Sequence, residues 1–235
     1  MDVQDRLKLT KENFTQWNEE MVKKYGTILE SQTRHSNAIV RYIEGLRVRW
    51  VVRYVNANEN DIALDVGCGG GNILEKIKAG KLYGIDLSET LLVVAKKRLG
   101  DRATLLNGDA EDMAKLFPNK KFSKIFSSEV IEHLLRPEAM ISEIYKLIDT
   151  NVIVVISIPN EKVIKAVKRV LIVTGLFKLL FAKRKEEAEY EWHLHDFDLT
   201  MLQKLIQGKF VVQKIKRIPF WFFPLRYVVR MSPIK

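Results

Sequence analysis

The chain is poor in cysteine: it has one, Cys68, among 235 residues. A single thiol excludes an internal disulfide scaffold and fits a reducing compartment best. Twelve glycines and six prolines are too few for a collagen-like chain, and 47% hydrophobic residues are too many for a disordered one. No uninterrupted apolar run approaches the roughly 18 residues that a membrane-crossing helix needs. The opening residues Met1-Asp2-Val3-Gln4-Asp5-Arg6 are polar and hold no apolar signal core. There is no internal repeat and no low-complexity linker. What remains is an ordinary globular chain, long enough for one domain with an elaboration or for two small ones.

Acid is the scarcer charge, with 29 Asp+Glu against 39 Lys+Arg and a net +10. A basic balance raises nucleic acid and anionic membranes as partners. The excess is uneven. Residues 161–185 contain Lys162, Lys165, Lys168, Arg169, Lys178, Lys183, Arg184 and Lys185 against the single acid Glu161, a net +7, while the other 210 residues net +3.

Hydrophobic periodicity predicts helices over 10–25 and 36–55, with Thr10 as a cap and Gly26 as a stop. Strands are then expected at 62–66, 82–86, 103–107, 122–127 and 152–158, with helices at 72–79, 89–99 and 138–148 between them. Alternation at this spacing implies βαβ units and a parallel sheet buried on both faces. Beyond the basic segment, a helix is expected over 199–206 and closing strands over 210–215 and 225–231. The cluster Phe220-Trp221-Phe222-Phe223 between those strands is expected to pack in the core beneath them, in preference to forming a second membrane anchor.

The loop Asp65-Val66-Gly67-Cys68-Gly69-Gly70-Gly71-Asn72 leaves the first strand and is expected to open a helix. Glycines there permit a tight turn and close approach of backbone to a ligand. They fall at the first, third and fifth positions of the loop, with Asn72 at the sixth, which argues against a dinucleotide fingerprint. Asp86 ends the second strand 21 residues after Asp65, where a carboxylate can accept both hydroxyls of a ribose. Asp109 follows the third strand and could accept an exocyclic amine of a base. In an open parallel sheet these positions share one crevice.

These residues resemble the class I S-adenosylmethionine-dependent methyltransferases. The likeness rests on Ala63–Asn72, Ile85-Asp86-Leu87-Ser88, Gly108-Asp109-Ala110-Glu111-Asp112 and Glu129-Val130-Ile131-Glu132-His133-Leu134, and covers roughly residues 36 to 160. The resemblance implies a doubly wound, Rossmann-like mixed α/β sheet of about seven strands, with N-terminal helices and a helical insert after strand five. It implies a helical cap over 1–55 and a methyltransferase domain over 56–235. Asp65, Gly67, Cys68, Gly69 and Gly71 would cradle the methionine part of the cofactor. Asp86 and Leu87 would hold the ribose, Asp109 and Ala110 the adenine, and Ser127, Ser128 and Glu129 would lie where the reacting methyl sits. Two departures fall at turns: Asp149-Thr150-Asn151 stands where the family has Pro-Gly-Gly, and Gly208-Lys209-Phe210 where it has Gly-Phe.

Glu129, Glu132 and His133 would share one face of a helical turn. The pattern is closest to that of the ubiquinone-biosynthesis O-methyltransferases and is found also in small-RNA 2′-O-methyltransferases. Two carboxylates and an imidazole could bind a hard ion such as Mg²⁺, which would polarise an acceptor hydroxyl. Without a metal, His133 could act as general base, with Glu129 beside it; His193 and His195 are alternatives. A packing role is the plain reading of the same residues. Tyr25, Arg34 and His35 are lid candidates by position.

In the insert, Val163, Val167, Val170 and Thr174 fall near one helical stripe, and Lys162, Lys165 and Arg169 near another. That combination suits an anionic membrane surface or a lipid-substrate lid, a helix packed on the domain, or a homodimer contact. RNA is disfavoured because only Phe177 and Phe181 are available to stack bases. The function expected is methyl transfer from S-adenosylmethionine to an oxygen of a small, lipophilic or membrane-associated acceptor, in the cytoplasm or at its membrane surface. RNA 2′-O-methylation and a non-catalytic cofactor-binding role stand as the alternatives.

Overall fold

The computed structural model describes residues 9–30, 38–177 and 192–234. Arg34, His35, Lys178, Phe181 and Lys183–Lys185 lie outside them. Strands β1 (Ile62–Val66), β2 (Lys81–Asp86), β3 (Ala103–Asn107), β4 (Phe122–Ser128), β5 (Ile148–Pro159), β6 (Phe210–Pro219) and β7 (Pro224–Pro233) form one sheet in the order β3-β2-β1-β4-β5-β7-β6. The first five pair in parallel, and β7 runs antiparallel between β5 and β6. The order reverses between β1 and β4, and the crevice at such a reversal is where open α/β sheets take ligands.

Helices α1 (Lys11–Glu30), α2 (Ala38–Val55), α3 (Glu89–Leu99), α4 (Pro137–Leu147), α5 (Glu161–Val173) and α6 (Leu199–Ile206) surround the sheet. Buried side chains from α4 and α6 form the core on one face, and those of α2 and α3 the core on the other. The helix α3 runs over the expected residues. Ser88 caps it by accepting from Leu91 N at 3.2 Å, and Gly100 closes it with φ of 58°.

The two N-terminal helices have different jobs. Val48, Val51, Tyr54 and Val55 of α2 pack directly on the sheet, so α2 is a layer of the main domain. Only α1 sits apart, with Phe14, Trp17, Met21 and Val22 packed against Leu91 and Trp192. The expected helix over 72–79 is instead a 3-10 turn at Leu74–Lys76. Ile73, Leu74 and Ile77 are all buried, and a short segment gains more from that burial than from a costly helical nucleus. Asp149–Asn151 form no turn: they follow Ile148 as exposed residues in the first part of β5. The aromatic cluster 220–223 is not core; all four side chains are exposed at the tip of the β6–β7 hairpin. Among the described residues, no helix is long and apolar enough to cross a membrane.

A buried ionic ring ties α2 to the end of the sheet. Glu44 accepts from Arg47 Nε at 2.8 Å and from Arg226 Nε at 2.9 Å. Arg226 Nη1 lies 2.6 Å from Glu129 Oε2, and Arg47 also donates to Ser128 Oγ. Ser128 and Ser157 share a 2.7 Å hydrogen bond, and Ser157 Oγ donates to Glu129 Oε1 at 3.4 Å, which closes the circuit. The two arginines outweigh the cost of burying Glu44 and bring its carboxyl down to about 2 from 4.5. A depressed carboxylate stabilises the fold above its unfolded pKa and loses that contribution as pH falls toward its folded one. Wild type should therefore lose roughly 3 kcal/mol from this group between pH 4.5 and 2. In urea melts Glu44→Gln should lose stability at neutral pH and lack this part of the acid dependence. Parallel pH profiles of the two proteins would contradict the assignment.

Candidate active site

The loops after β1, β2, β3 and β4 leave the same edge of the sheet and line a single cavity of about 500 Å³. Asp65, Gly67, Cys68, Gly69, Asp86, Leu87, Asp109, Ala110 and Ser128 all border it. Gly71 does not. It packs on α3, where an added Cβ would meet Leu99 Cδ1 at 3.0 Å. No α-helix follows the glycine loop, so the ligand-facing donors are those of the loop itself.

Gly67 has φ of 73°, and a Cβ there would lie 2.4 Å from Val130 Cγ2. Gly69 has φ of 50°, with nothing closer than Leu91 at 4.0 Å, so its open side faces the cavity. Gly67→Ala should thus cost about 1–3 kcal/mol through overpacking and backbone strain, read as a lower urea midpoint. A Gly67→Ala protein as stable as wild type would show that Val130 gives way freely.

Asp86 is held rigidly. Its Oδ2 accepts from Gly69 N at 2.7 Å and its Oδ1 from Ser88 N at 2.9 Å, which leaves lone pairs on both oxygens for a ligand. Burial still outweighs those bonds and pushes its carboxyl up to about 6. Asp65, deeply buried, is raised well above the usual range by burial and by Asp86, against the pull of Arg47. The Cys68 thiol is pushed up by burial and by both acids, which makes it a poor nucleophile at neutral pH. Asp109 accepts from Glu111 N at 2.9 Å and is raised by burial. Glu111 in turn holds Arg136 by its backbone N–H at 2.8 Å and its Nε at 2.9 Å, which ties the loop after β3 to the segment after β4. Crowded, under-solvated carboxylates suit a ligand that brings positive charge and hydroxyl donors.

The Glu-Val-Ile-Glu-His segment is not one helical face. Glu129 has φ of 56° and precedes a 3-10 turn at Ile131–His133, and its carboxylate is committed to Arg226. Glu132 and His133 come together as expected, but the third partner is His193. These three place one ligand atom each within 4.8 Å of one another. The segment carrying His193 is docked by Leu194 N and His195 N on the Glu132 carbonyl, at 2.9 and 3.2 Å. Both carboxylate oxygens of Glu132 are buried without a hydrogen-bond partner, and burial, reinforced by Glu129, raises this group to about 8. One carboxylate with two imidazoles is a set for a borderline ion, and Mg²⁺ prefers oxygen ligands. The donors do not fit the magnesium site expected from Glu129, Glu132 and His133.

The histidines divide by their partners. His133 Nδ1 lies 3.1 Å from the Trp192 carbonyl, and burial lowers its pKa to about 3. His195 Nε2 lies 2.9 Å from the Leu134 carbonyl, a structural contact. His193 Nδ1 lies 2.7 Å from Glu161 Oε1, and both residues border the cavity. Glu161 is the first residue of α5, whose Ile164, Val167 and Leu171 form an apolar wall of the same cavity. Lys162 and Lys165 pair with Asp198 and Asp196, which anchors α5 beside the pocket. Sequence reasoning missed Glu44, Arg47, Glu161 and Arg226. The signal was present for two of them: Glu44 and Arg47 interrupt an otherwise apolar face of α2 at i, i+3 spacing.

The sheet order and the acid-lined crevice define an α/β fold of the type used by methyltransferases. Residues 64–156 match the family described as a methyltransferase domain. A ubiquinone biosynthesis O-methyltransferase of Dechloromonas aromatica is 32% identical over 111 residues, covering 45% of this chain and 47% of that relative. The match therefore spans about half the length of that relative. Among solved structures, an S-adenosylmethionine-dependent methyltransferase of Thermotoga maritima aligns over 91% of this chain and 98% of its own, with a TM-score of 0.64 at 16% identity. The magnesium protoporphyrin IX methyltransferase of Synechocystis, solved with bound S-adenosylhomocysteine, aligns over 94% and 96% with a TM-score of 0.59, also at 16% identity. Residues 64–156 thus match a methyltransferase domain, within a sheet whose fold is that of these solved methyltransferases.

Proposed function

We propose that the chain transfers the methyl of S-adenosylmethionine to a hydroxyl oxygen of a small lipophilic acceptor. The observation that carries this reading is one cavity with two unlike ends. One end is the glycine loop with Asp65, Asp86 and Asp109; the other is the apolar underside of α5, with the His193–Glu161 pair beside it. S-adenosylmethionine supplies an already activated methyl on a sulfonium, so the protein's work is placement and proton removal. Asp86 accepts the ribose hydroxyls, Asp109 and Ala110 border the adenine, and the loop from Gly67 to Gly69 allows close approach of the methionine part.

We assign proton removal to His193 in preference to His133. Glu161 fixes the ring through Nδ1 at the cavity wall, and its carboxylate favours the imidazolium that forms when the acceptor hydroxyl gives up its proton. His133, with its pKa lowered to about 3, orients the 192–195 segment. Glu129 positions Arg226. The relatives named for ubiquinone biosynthesis support an oxygen acceptor and a lipophilic one. The outward residues Val170, Ile172 and Val173 of α5 support a protein that works peripherally at a membrane through 161–185.

Titration calorimetry with S-adenosylmethionine and with S-adenosylhomocysteine tests the cofactor half. Both should bind one to one, and the affinity should survive treatment with EDTA. A chain that binds neither overturns the reading, and binding that EDTA abolishes would restore a metal to the site.

A further inference from the structure

We infer that the β6–β7 hairpin tip is a second membrane anchor, which docks on an anionic phospholipid surface and turns the mouth of the cavity toward it. The inference extends the lipid-facing reading of residues 161–185 but stands on a different element. Phe220, Trp221, Phe222 and Phe223 are between 44% and 80% exposed. They are ordered against one another: Phe220 and Phe222 stack at 5.6 Å with 8° between planes, and Trp221 meets Phe222 edge-on at 5.6 Å. Four adjacent exposed aromatics at one apex are far from the scattered apolar residues of an ordinary surface. Aromatic rings of this kind settle at the boundary between lipid headgroups and acyl chains.

The tip lies at the functional edge of the sheet. β7 pairs with β5 up to Pro159↔Arg226, and the hairpin overshoots that end through Leu225 and Pro224 before the turn. Two extended residues add roughly 7 Å beyond the sheet. Asn160 ties this root to the start of α5: its N–H donates to the Leu225 carbonyl at 2.8 Å, and its Nδ2 to the Pro224 carbonyl at 2.8 Å. Leu225 and Arg226 border the cavity, as do Ile164 and Leu171 of α5. The hairpin tip and the exposed Val170, Ile172 and Val173 therefore rise from the same rim. Two protrusions on one rim suit a plane better than the groove of a single protein partner.

Charge selects the sign of that plane. Residues 199–235 contain eight Lys and Arg and no Asp or Glu, and seven of the eight lie outside the buried ring that holds Arg226. Outside this segment and 161–185 the chain nets −5, so the +3 assigned to the remainder of the chain conceals a second basic segment. Lys214 and Arg217 of β6 are exposed, and so is Arg169 of α5. Aromatics inserted at the headgroup level with cations beside them are the two signals that give stable peripheral binding to anionic lipid.

The test is flotation of the full chain with mixed phosphatidylcholine–phosphatidylglycerol vesicles and with phosphatidylcholine alone, read together with quenching of tryptophan by brominated acyl chains. Wild type should float with the mixed vesicles and be quenched. The Phe220→Ser, Trp221→Ser, Phe222→Ser triple variant should bind at least about tenfold more weakly. Trp221→Phe, made in a Trp50→Phe background because Trp50 is only partly buried, keeps an aromatic at the tip and should still float but lose the quenching, since Trp17 and Trp192 are buried. Equal flotation of the triple variant, or quenching that persists in Trp221→Phe, overturns the inference. So does a wild-type dimer that the triple variant makes monomeric without any lipid binding, since the tip would then seat a second copy of this chain. Calorimetry with S-adenosylmethionine on the same variants separates this outcome from the proposed activity: the triple variant should bind the cofactor as wild type does.

Discussion

Replacing Asp86 with alanine should weaken S-adenosylmethionine binding by about two orders of magnitude or more. Two hydroxyl donors to one carboxylate are each worth about 1.5–3 kcal/mol when the acceptor is charged. The variant also frees Gly69 N and Ser88 N, which hold the glycine loop and the start of α3 in register. Asp86→Asn separates these effects, because the amide oxygen keeps one backbone bond while the charge is gone. The pH dependence carries a sign. Ribose hydroxyls donate to the ionised form, and the free protein holds Asp86 up at about 6. Affinity should thus be constant above that pH and fall up to tenfold per pH unit below it, and the Asn variant should be flat across the same range. Calorimetry from pH 5 to 8 reads both. A wild-type affinity that does not change below pH 6 would mean that Asp86 does not meet the cofactor as a carboxylate.

His193→Ala should lower kcat by about 10²–10⁴ while leaving cofactor affinity near wild type, the range expected for a lost general base. Glu161→Gln keeps a hydrogen-bonding partner for the ring without its charge, and a smaller loss of about tenfold should follow. The readout that separates catalysis from packing is the pH–rate profile: the limb that reports the base should vanish in His193→Ala and shift in Glu161→Gln. His133→Ala should behave differently. Its ring is packed against Trp192 and His193, so that variant should lose thermal stability first. If instead His133→Ala removes the pH limb and His193→Ala does not, the roles of the two histidines are reversed.

The acid-lined end of the cavity was legible because it is local. Asp65, the glycine loop, Asp86 and Asp109 each follow directly from a strand end, and the parallel sheet does the rest. Where the reading failed, the cause was tertiary. Glu129 reads as a metal ligand until Arg226, 97 residues away, takes its carboxylate. Gly71 reads as a cofactor contact until Leu99 is seen beside it. The helix expected over 72–79 has helix-forming residues, but burial of Ile73, Leu74 and Ile77 shortens it to one turn. The aromatic run 220–223 reads as core by composition, yet Pro219 and Pro224 bracket it. A bracketed run of four residues at the end of two strands is a turn, and turns face outward. His193 was visible only as one of several histidines, since its partner Glu161 lies 32 residues earlier in the chain.

The proposed activity stands most directly on transfer of label from methyl-labelled S-adenosylmethionine to lipophilic phenols presented with vesicles, with S-adenosylhomocysteine quantified alongside. The expected result is an organic-extractable O-methyl ether formed one to one with S-adenosylhomocysteine, and loss of both products in His193→Ala. Label that stays in the cofactor despite tight binding would make the chain a binding protein without turnover, and label recovered in RNA in place of the phenols would contradict the acceptor class outright.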